Sequence, residues 1–211
     1  MNEAAVRDEI VRWGRSLFER GLTSGSSGNI SVRLSDGFLV TPTNSCLGFL
    51  EPNRLSKLDP QGELVSGDQP TKELPLHFGF YHSRPNTAAV VHLHSTYATA
   101  LSCLAETPPD DAIPPITPYV VMRAGRVPIV PYTRPGSQDV YPLIVAWSGE
   151  HSAILLANHG PVVAGASLSS AVYAIEEIEE AAKLVIITRG MKVRLLDAAA
   201  VADLHESFKL K

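Results

Sequence analysis

Apolar residues recur at Val6, Ile10, Trp13 and Leu17, the spacing of one face of an amphipathic helix, and Gly21 supplies its stop. The period then shortens to two. Ile30, Val32 and Leu34 alternate as in a strand, Asp36-Gly37 marks a hairpin turn, and Phe38-Leu39-Val40 is the returning strand. Residues 42–70 carry Pro, Gly, Asn and Asp at short intervals and read as short strands and turns, with turn positions at Gly62 and Gly67-Asp68. A short helix is predicted to begin near Thr71, capped by Thr71 or Asp68, with Pro75 in its first turn and Pro85 beyond its end. Ala88 to His94 reads as an apolar strand, Ser95 to Leu104 as a helix and Thr107 to Pro118 as a proline-rich loop. Val127 to Val130 reads as a strand, Asp139 to Ser148 as a helix, and Ala153 to Asn158 as a buried strand. The longest helix is predicted over Ser169–Arg189, with Ile175, Ile178, Ala182 and Val185 on one face, and Asp197 opens a last one. No internal repeat or low-complexity segment interrupts this order. Helices and strands mixed with hairpins point to a single α/β domain over residues 1–211 rather than a βαβ ladder.

Composition narrows the function classes. The 211 residues are 45% hydrophobic and 19% charged, which fits a globular chain with a sizeable core and argues against disorder. With 18 Lys and Arg against 22 Asp and Glu, the net charge is -4, a poor match to nucleic acid, whose binding needs a basic field. The two cysteines, Cys46 and Cys103, lie far apart, which excludes a disulfide framework and a Cys-based zinc knuckle and fits a reducing compartment. The charged, amphipathic start lacks the apolar stretch of a leader, and no segment has the apolar length of a membrane span, so the expected location is the cytoplasm. What composition leaves open is the placement of seven histidines.

His92 and His94 sit at the end of a predicted strand, where residues i and i+2 point to one face and can offer imidazoles to one cation. His159, within Asn158-His159-Gly160, closes a second apolar strand and is a candidate third ligand, since active-site groups gather at strand ends. Zinc suits imidazole, and three protein ligands with one open position make a catalytic site. The bland alternative is ordinary strand-end histidines. His77, His82, His151 and His205 read as surface or packing residues. Glu73 is a candidate proton-transfer group beside such a metal, or only a first-turn acidic residue. Tyr119, after a proline-rich stretch, could be a phenolic proton donor from a loop, or a packed aromatic. Gly28-Asn29, Thr41-Pro42-Thr43-Asn44 and Thr71-Lys72 offer backbone amides, hydroxyls and one ammonium to an anion, although such loops usually only turn the chain.

Taken in order, Ser27-Gly28-Asn29-Ile30-Ser31, Thr41-Pro42-Thr43, Lys72-Glu73-Leu74-Pro75-Leu76-His77, His92-Leu93-His94 and Asn158-His159-Gly160 resemble the class II aldolase/adducin family over nearly the whole chain. The resemblance implies a three-layer α/β/α sandwich around a central, mainly antiparallel sheet. It also implies a homotetramer with active sites at subunit interfaces. It implies that His92, His94 and His159 hold zinc, and that Glu73 is the acid/base and also touches the metal when substrate is absent. Gly28, Asn29, Thr43, Thr71 and Lys72 would surround a substrate phosphate, and Tyr119 would be the family's proton-donating tyrosine.

Two departures refine the expectation. The family's sugar-phosphate aldolases usually carry a serine pair where Thr71-Lys72 stands, and its pentulose-phosphate 4-epimerases usually carry aspartate where Glu73 stands. Thr-Lys-Glu followed by Leu-Pro-Leu-His is similar to the branch that decarboxylates 3-oxo-tetronate 4-phosphates, and Tyr132-Thr133-Arg134-Pro135-Gly136-Ser137 is in keeping with it. Such a substrate is a β-keto acid. Loss of CO2 leaves an enediolate that a Lewis acid stabilises, and protonation of C2 releases dihydroxyacetone phosphate. Retro-aldol cleavage passes through the same enediolate, so a class II aldolase of a fuculose- or rhamnulose-type deoxy-ketose 1-phosphate is the alternative. A non-enzymatic interaction domain like the adducin head is a third reading, which predicts loss of the zinc histidines.

Overall fold

The computed structural model describes residues 2–208. Its elements follow the predicted order, with one central strand, Gly160–Gly165, where the sequence reading placed none. Helix α1 (Glu3–Glu19) buries Val6, Ile10 and Leu17 and is capped by the Asn2 side chain. Strands β1 (Asn29–Leu34) and β2 (Gly37–Val40) form the hairpin, and β3 (Ser56–Leu58) and β4 (Leu64–Ser66) continue the meander. Then come α2 (Leu74–Ser83), β5 (Ala89–His92), α3 (Thr96–Ser102), α4 (Pro118–Arg123), β6 (Ile129–Val130) and α5 (Val140–Ser148). The chain goes on through β7 (Ala153–Leu156), β8 (Gly160–Gly165), α6 (Leu168–Ile187) and α7 (Ala198–Ser207). No helix among the described residues is long and apolar enough to cross a membrane.

Two of the boundaries that differ from the sequence reading bear on the expected site residues. Helix α2 starts at Leu74, with Glu73 rather than Thr71 at the cap position and Pro75 in its first turn. Tertiary pairing overrides the local cap signal. Residues 69–71 run extended beside 41–43, through Thr43 N–H to Gln69 O (2.9 Å), Thr71 N–H to Thr41 O (3.2 Å) and a bridge between Pro42 and Pro70. The loop read as ending at Pro118 gives way there to α4, because Thr117 Oγ1 accepts the Val120 amide and Pro118 fits a first turn. Tyr119 therefore stands on a helix rather than on a loop.

One eight-stranded sheet runs β4-β3-β2-β1-β5-β8-β7-β6. Every neighbouring pair is antiparallel except β6 and β7. The period-two alternation sorts its side chains into two buried layers. Ile30, Val32, Ala89, Val91, Leu155 and Val163 pack under α1, α3, α4 and α6. Val40, Val90, Ile154, Leu156 and Val162 pack under α2 and α5 on the other face. The architecture is thus α/β/α around a mainly antiparallel sheet, as expected. The second face also carries Asn29, Ser31 and His92, which are buried polar residues in line with those apolar neighbours.

Helix α3 follows His94 directly, and its cap residue, Ser95, makes no side-chain cap hydrogen bond. Glu179 of α6 does that work: its carboxylate accepts the amides of Tyr97 (2.9 Å) and Ala98 (2.8 Å). A buried carboxylate on two free helix amides stabilises the N-terminus through hydrogen bonds and dipole together. We expect Glu179→Ala to lower unfolding stability by about 1–3 kcal/mol, since two buried amides lose their acceptor. Urea denaturation checks this, and a stability equal to that of the parent would contradict it.

Candidate active site

Three histidines converge at one end of the sheet. His92 is the last residue of β5 and His94 lies just beyond it. His159 sits in the tight turn between β7 and β8, which Asn158 enters with a left-handed backbone (φ 55°). Gly160 allows the turn to close on His94, because a Cβ there would meet Leu93 O at 2.3 Å. Helix α3 ties the turn down: Thr99 Oγ1 donates to His159 O (3.2 Å) and Asn158 N donates to Ser102 O (3.2 Å).

The three Nε2 atoms form a triangle with edges of 3.1 Å (His92–His94), 3.0 Å (His94–His159) and 3.3 Å (His92–His159). Ligand nitrogens about 2.0–2.1 Å from a tetrahedral cation stand about 3.3 Å apart, close to these edges. His92 Nδ1 donates to Pro161 O (2.9 Å), which places the lone pair on Nε2, toward the triangle. Glu73 completes the group, with Oε2 3.5 Å from His92 Nε2 and Oε1 3.4 Å from His159 Nε2. All four ligand atoms lie within 4.8 Å of one another. Three ring nitrogens and a carboxylate converging on one point suit a divalent cation, so the donor set fits a metal.

Burial pushes all three imidazoles below their ordinary pKa, His92 to about 3, so each is neutral and free to ligate near pH 7. Burial pushes the Glu73 carboxyl up, but attraction to His92 and His159 in their protonated forms and the Asn29 hydrogen bond outweigh it, and the net shift is downward.

The other expected residues are placed as follows. Asn29 Nδ2 donates to Glu73 Oε2 (2.8 Å), so one hydrogen of the side chain expected on a phosphate is committed to the carboxylate. Gly28 sits against the sheet end, where a Cβ would meet His92 O at 2.9 Å. Thr71 is buried, and its Oγ1 accepts the Glu73 amide (3.3 Å). Thr43 lies on the segment paired with residues 69–71, and Lys72 is exposed beside Glu73. Asn29 and Thr71 are thus joined through Glu73, with Gly28 and Lys72 adjoining them in sequence. Tyr119 is not brought to this cluster within one chain. It is 57% exposed on α4, whose buried residues belong to the opposite core layer from those of α2.

Two features gain a place that the sequence reading did not give them, the first being a segment quoted there only for its resemblance to the decarboxylase branch. Thr133, Arg134, Pro135 and Gly136 wall the cleft that contains Glu73 and His159. His77, read as a bystander, is fully buried and hydrogen-bonded to Ser31 and Asn29. Its position four residues after Glu73 on a helix was the available clue.

Burial also makes the fold acid-sensitive. His77 is pushed down to about 4 and His92 to about 3, against about 6.5 when unfolded. Between these values the unfolded chain binds more protons. Stability is therefore full above pH 6.5 and falls as pH drops toward 4, by several kcal/mol at about 1.4 kcal/mol per unit. We expect the urea midpoint of metal-free protein to be clearly lower at pH 5 than at pH 7.5, above the range where carboxylates titrate. An unchanged midpoint would contradict this account.

Comparison with known proteins agrees with this geometry. The family model for the class II aldolase and adducin N-terminal domain matches residues 8–186. The chain is 50% identical over 204 residues to the 3-oxo-tetronate 4-phosphate decarboxylase of Pectobacterium atrosepticum, covering 96% of this chain and 94% of that one. Against the L-fuculose phosphate aldolase of Haemophilus influenzae the identity is 34% over 200 residues, covering 93% and 90%. The crystal structure of YgbL from Escherichia coli superposes with a TM-score of 0.94 at 47% identity, covering 97% of this chain and 99% of that one. With the family model covering most of its length, the chain belongs to the class II aldolase and adducin family, and it is a lyase, as are the decarboxylases and aldolases it resembles.

Proposed function

We propose that this protein decarboxylates a 3-oxo-tetronate 4-phosphate to dihydroxyacetone phosphate and CO2. In this reading residues 1–211 act as one catalytic domain, zinc is the cation, and the enzyme is a cytoplasmic homotetramer. The observation that carries the proposal is the three-histidine and Glu73 group, in a chain half identical to relatives named for that activity and only 34% identical to a fuculose-phosphate aldolase.

The residues divide the work by their chemistry. His92, His94 and His159 would hold the cation, which supplies Lewis-acid stabilisation of the negative charge that departing CO2 leaves behind. Gly28, Thr43, Thr71 and Lys72 would take the phosphate, and the free Nδ2 hydrogen of Asn29 could join them. When the C1–C2 bond breaks, the electron pair stays on C2 and is shared with the C3 carbonyl. C2 then needs one proton. Glu73, whose pKa is shifted down, is ionised and suited to accept a hydrogen bond from the C2 hydroxyl, which keeps its proton. The proton for C2 then falls to a group that still carries one, and Tyr119 is our assignment. Its exposed place on α4 would let it reach a site only across a subunit boundary, so the tetramer is part of the proposal. Arg134 adds a guanidinium to the cleft wall for a substrate that bears two anionic groups, a carboxylate and a phosphate.

Zinc-loaded protein given a 3-oxo-tetronate 4-phosphate should release CO2 and triose phosphate in equal amounts. Triose phosphate from a deoxy-ketose 1-phosphate, with no CO2 from the oxo-acid, would sink the decarboxylase reading in favour of an aldolase. His92→Ala should bring bound zinc well below one per subunit and cut activity by about a hundredfold or more. Full activity in a variant or chelated sample shown to hold no metal would refute the metal centre.

A further inference from the structure

A line of buried polar groups runs from the second core layer to Glu73. Asn29, Ser31, His77 and Tyr81 are each at most 4% exposed, and four contacts join them to the carboxylate. These are Tyr81 Oη to Ser31 Oγ (2.8 Å), Ser31 Oγ to His77 Nδ1 (2.7 Å), His77 Nε2 to Asn29 Oδ1 (2.6 Å) and Asn29 Nδ2 to Glu73 Oε2 (2.8 Å). We propose that His77 is a positioning residue, which with Ser31 and Tyr81 fixes the face that Asn29 turns to Glu73 and so holds that carboxylate in its working orientation. The proposal rests on Glu73 as the reacting carboxylate, and not on which substrate it meets.

The proton positions follow from one end to the other. An ionised carboxylate only accepts, so Asn29 must present its amide nitrogen to Glu73. Its oxygen then faces His77, whose proton must be on Nε2. The neutral ring accepts at Nδ1, so Ser31 donates there its single hydroxyl proton. Ser31 must in turn accept from Tyr81. Every proton is used once, and every link points toward the carboxylate.

The reversed amide is disfavoured at both ends. It would set Asn29 Oδ1 against Glu73, oxygen against anion. It would also reverse the hydroxyls, leaving the buried Tyr81 proton without its acceptor, Ser31. Shape alone barely distinguishes the two faces of an asparagine amide, so the selection comes from this network. The two elements are matched for it. Asn29 and Ser31 are i and i+2 on one face of β1, while Glu73, His77 and Tyr81 are spaced by four along the start and body of α2.

Two measurements test this. In 15N NMR of the wild-type protein near pH 7, His77 should be neutral, with its proton on Nε2 and a bare Nδ1. The second follows solvent deuterium exchange into the hydroxymethyl group of dihydroxyacetone phosphate, a reaction common to decarboxylase and aldolase readings. Its result therefore stands even if the oxo-acid proves not to be the substrate. His77→Phe should lower the saturated exchange rate about 10- to 100-fold, the range for outer groups that orient a metal site. Half-saturation should stay within about threefold, and bound metal per subunit should be unchanged. His77→Gln, whose amide can again donate to Asn29 Oδ1, should recover most of the rate. If His77→Phe fails to fold, Ser31→Ala should show the same split between rate and half-saturation. A proton on Nδ1, a wild-type rate in folded His77→Phe or Ser31→Ala, or equal losses in the Phe and Gln variants would each overturn the proposal.

Discussion

Three imidazole nitrogens held 3.0–3.3 Å apart can all turn their lone pairs inward without mutual repulsion only if a cation lies among them. Much of the surrounding structure serves to impose that convergence. No single element supplies it. His92 ends a central strand, His94 follows outside the ladder, and His159 comes from a turn on the far side of the neighbouring strand. Pro161 O fixes both the segment and the tautomer, since it accepts the Leu93 amide and His92 Nδ1. Helix α3 is tied to α6 through Glu179 and to the histidine turn through Thr99. The rigidity of the cluster is thus borrowed from the larger core layer.

Glu73 arrives from the opposite layer. It stands where an extended segment, paired with residues 41–43, becomes the first turn of α2. The three histidines and the carboxylate therefore depend on different packing interfaces and meet only at the end of the sheet. Asn29 links the two, because its backbone pairs with His92 in the ladder while its side chain reaches Glu73. This also explains why a weakly acidic chain can serve an anionic substrate. The net charge describes the whole surface, while a cleft needs only local donors, and Arg134 stands in the wall of this one.

Much of this was legible in the sequence, for physical reasons. Alternation at Ile30, Val32 and Leu34 and the four-residue spacing in α1 and α6 are local consequences of burial on one face. The pairing of His92 with His94 follows from strand geometry, and His159 from its place at a strand end. The start of α4 at Pro118 was a local cap signal passed over, while the other misreadings came from tertiary contacts that decided the outcome. Thr71 has the chemistry of a cap, but pairing with Thr41 keeps it extended. His77 resembled a packing residue because its partners, Asn29 and Ser31, lie more than forty positions away. The spacings that place Glu73, His77 and Tyr81 on one face were visible, but only the packing of α2 on β1 gives them meaning.

The most direct test of the account is the position of the bound metal. Anomalous diffraction and X-ray absorption on metal-loaded crystals should find one divalent cation per chain, about 2.0–2.1 Å from Nε2 of His92, His94 and His159, with His92 Nδ1 still on Pro161 O. A cation bound elsewhere, or held through His92 Nδ1, would contradict it.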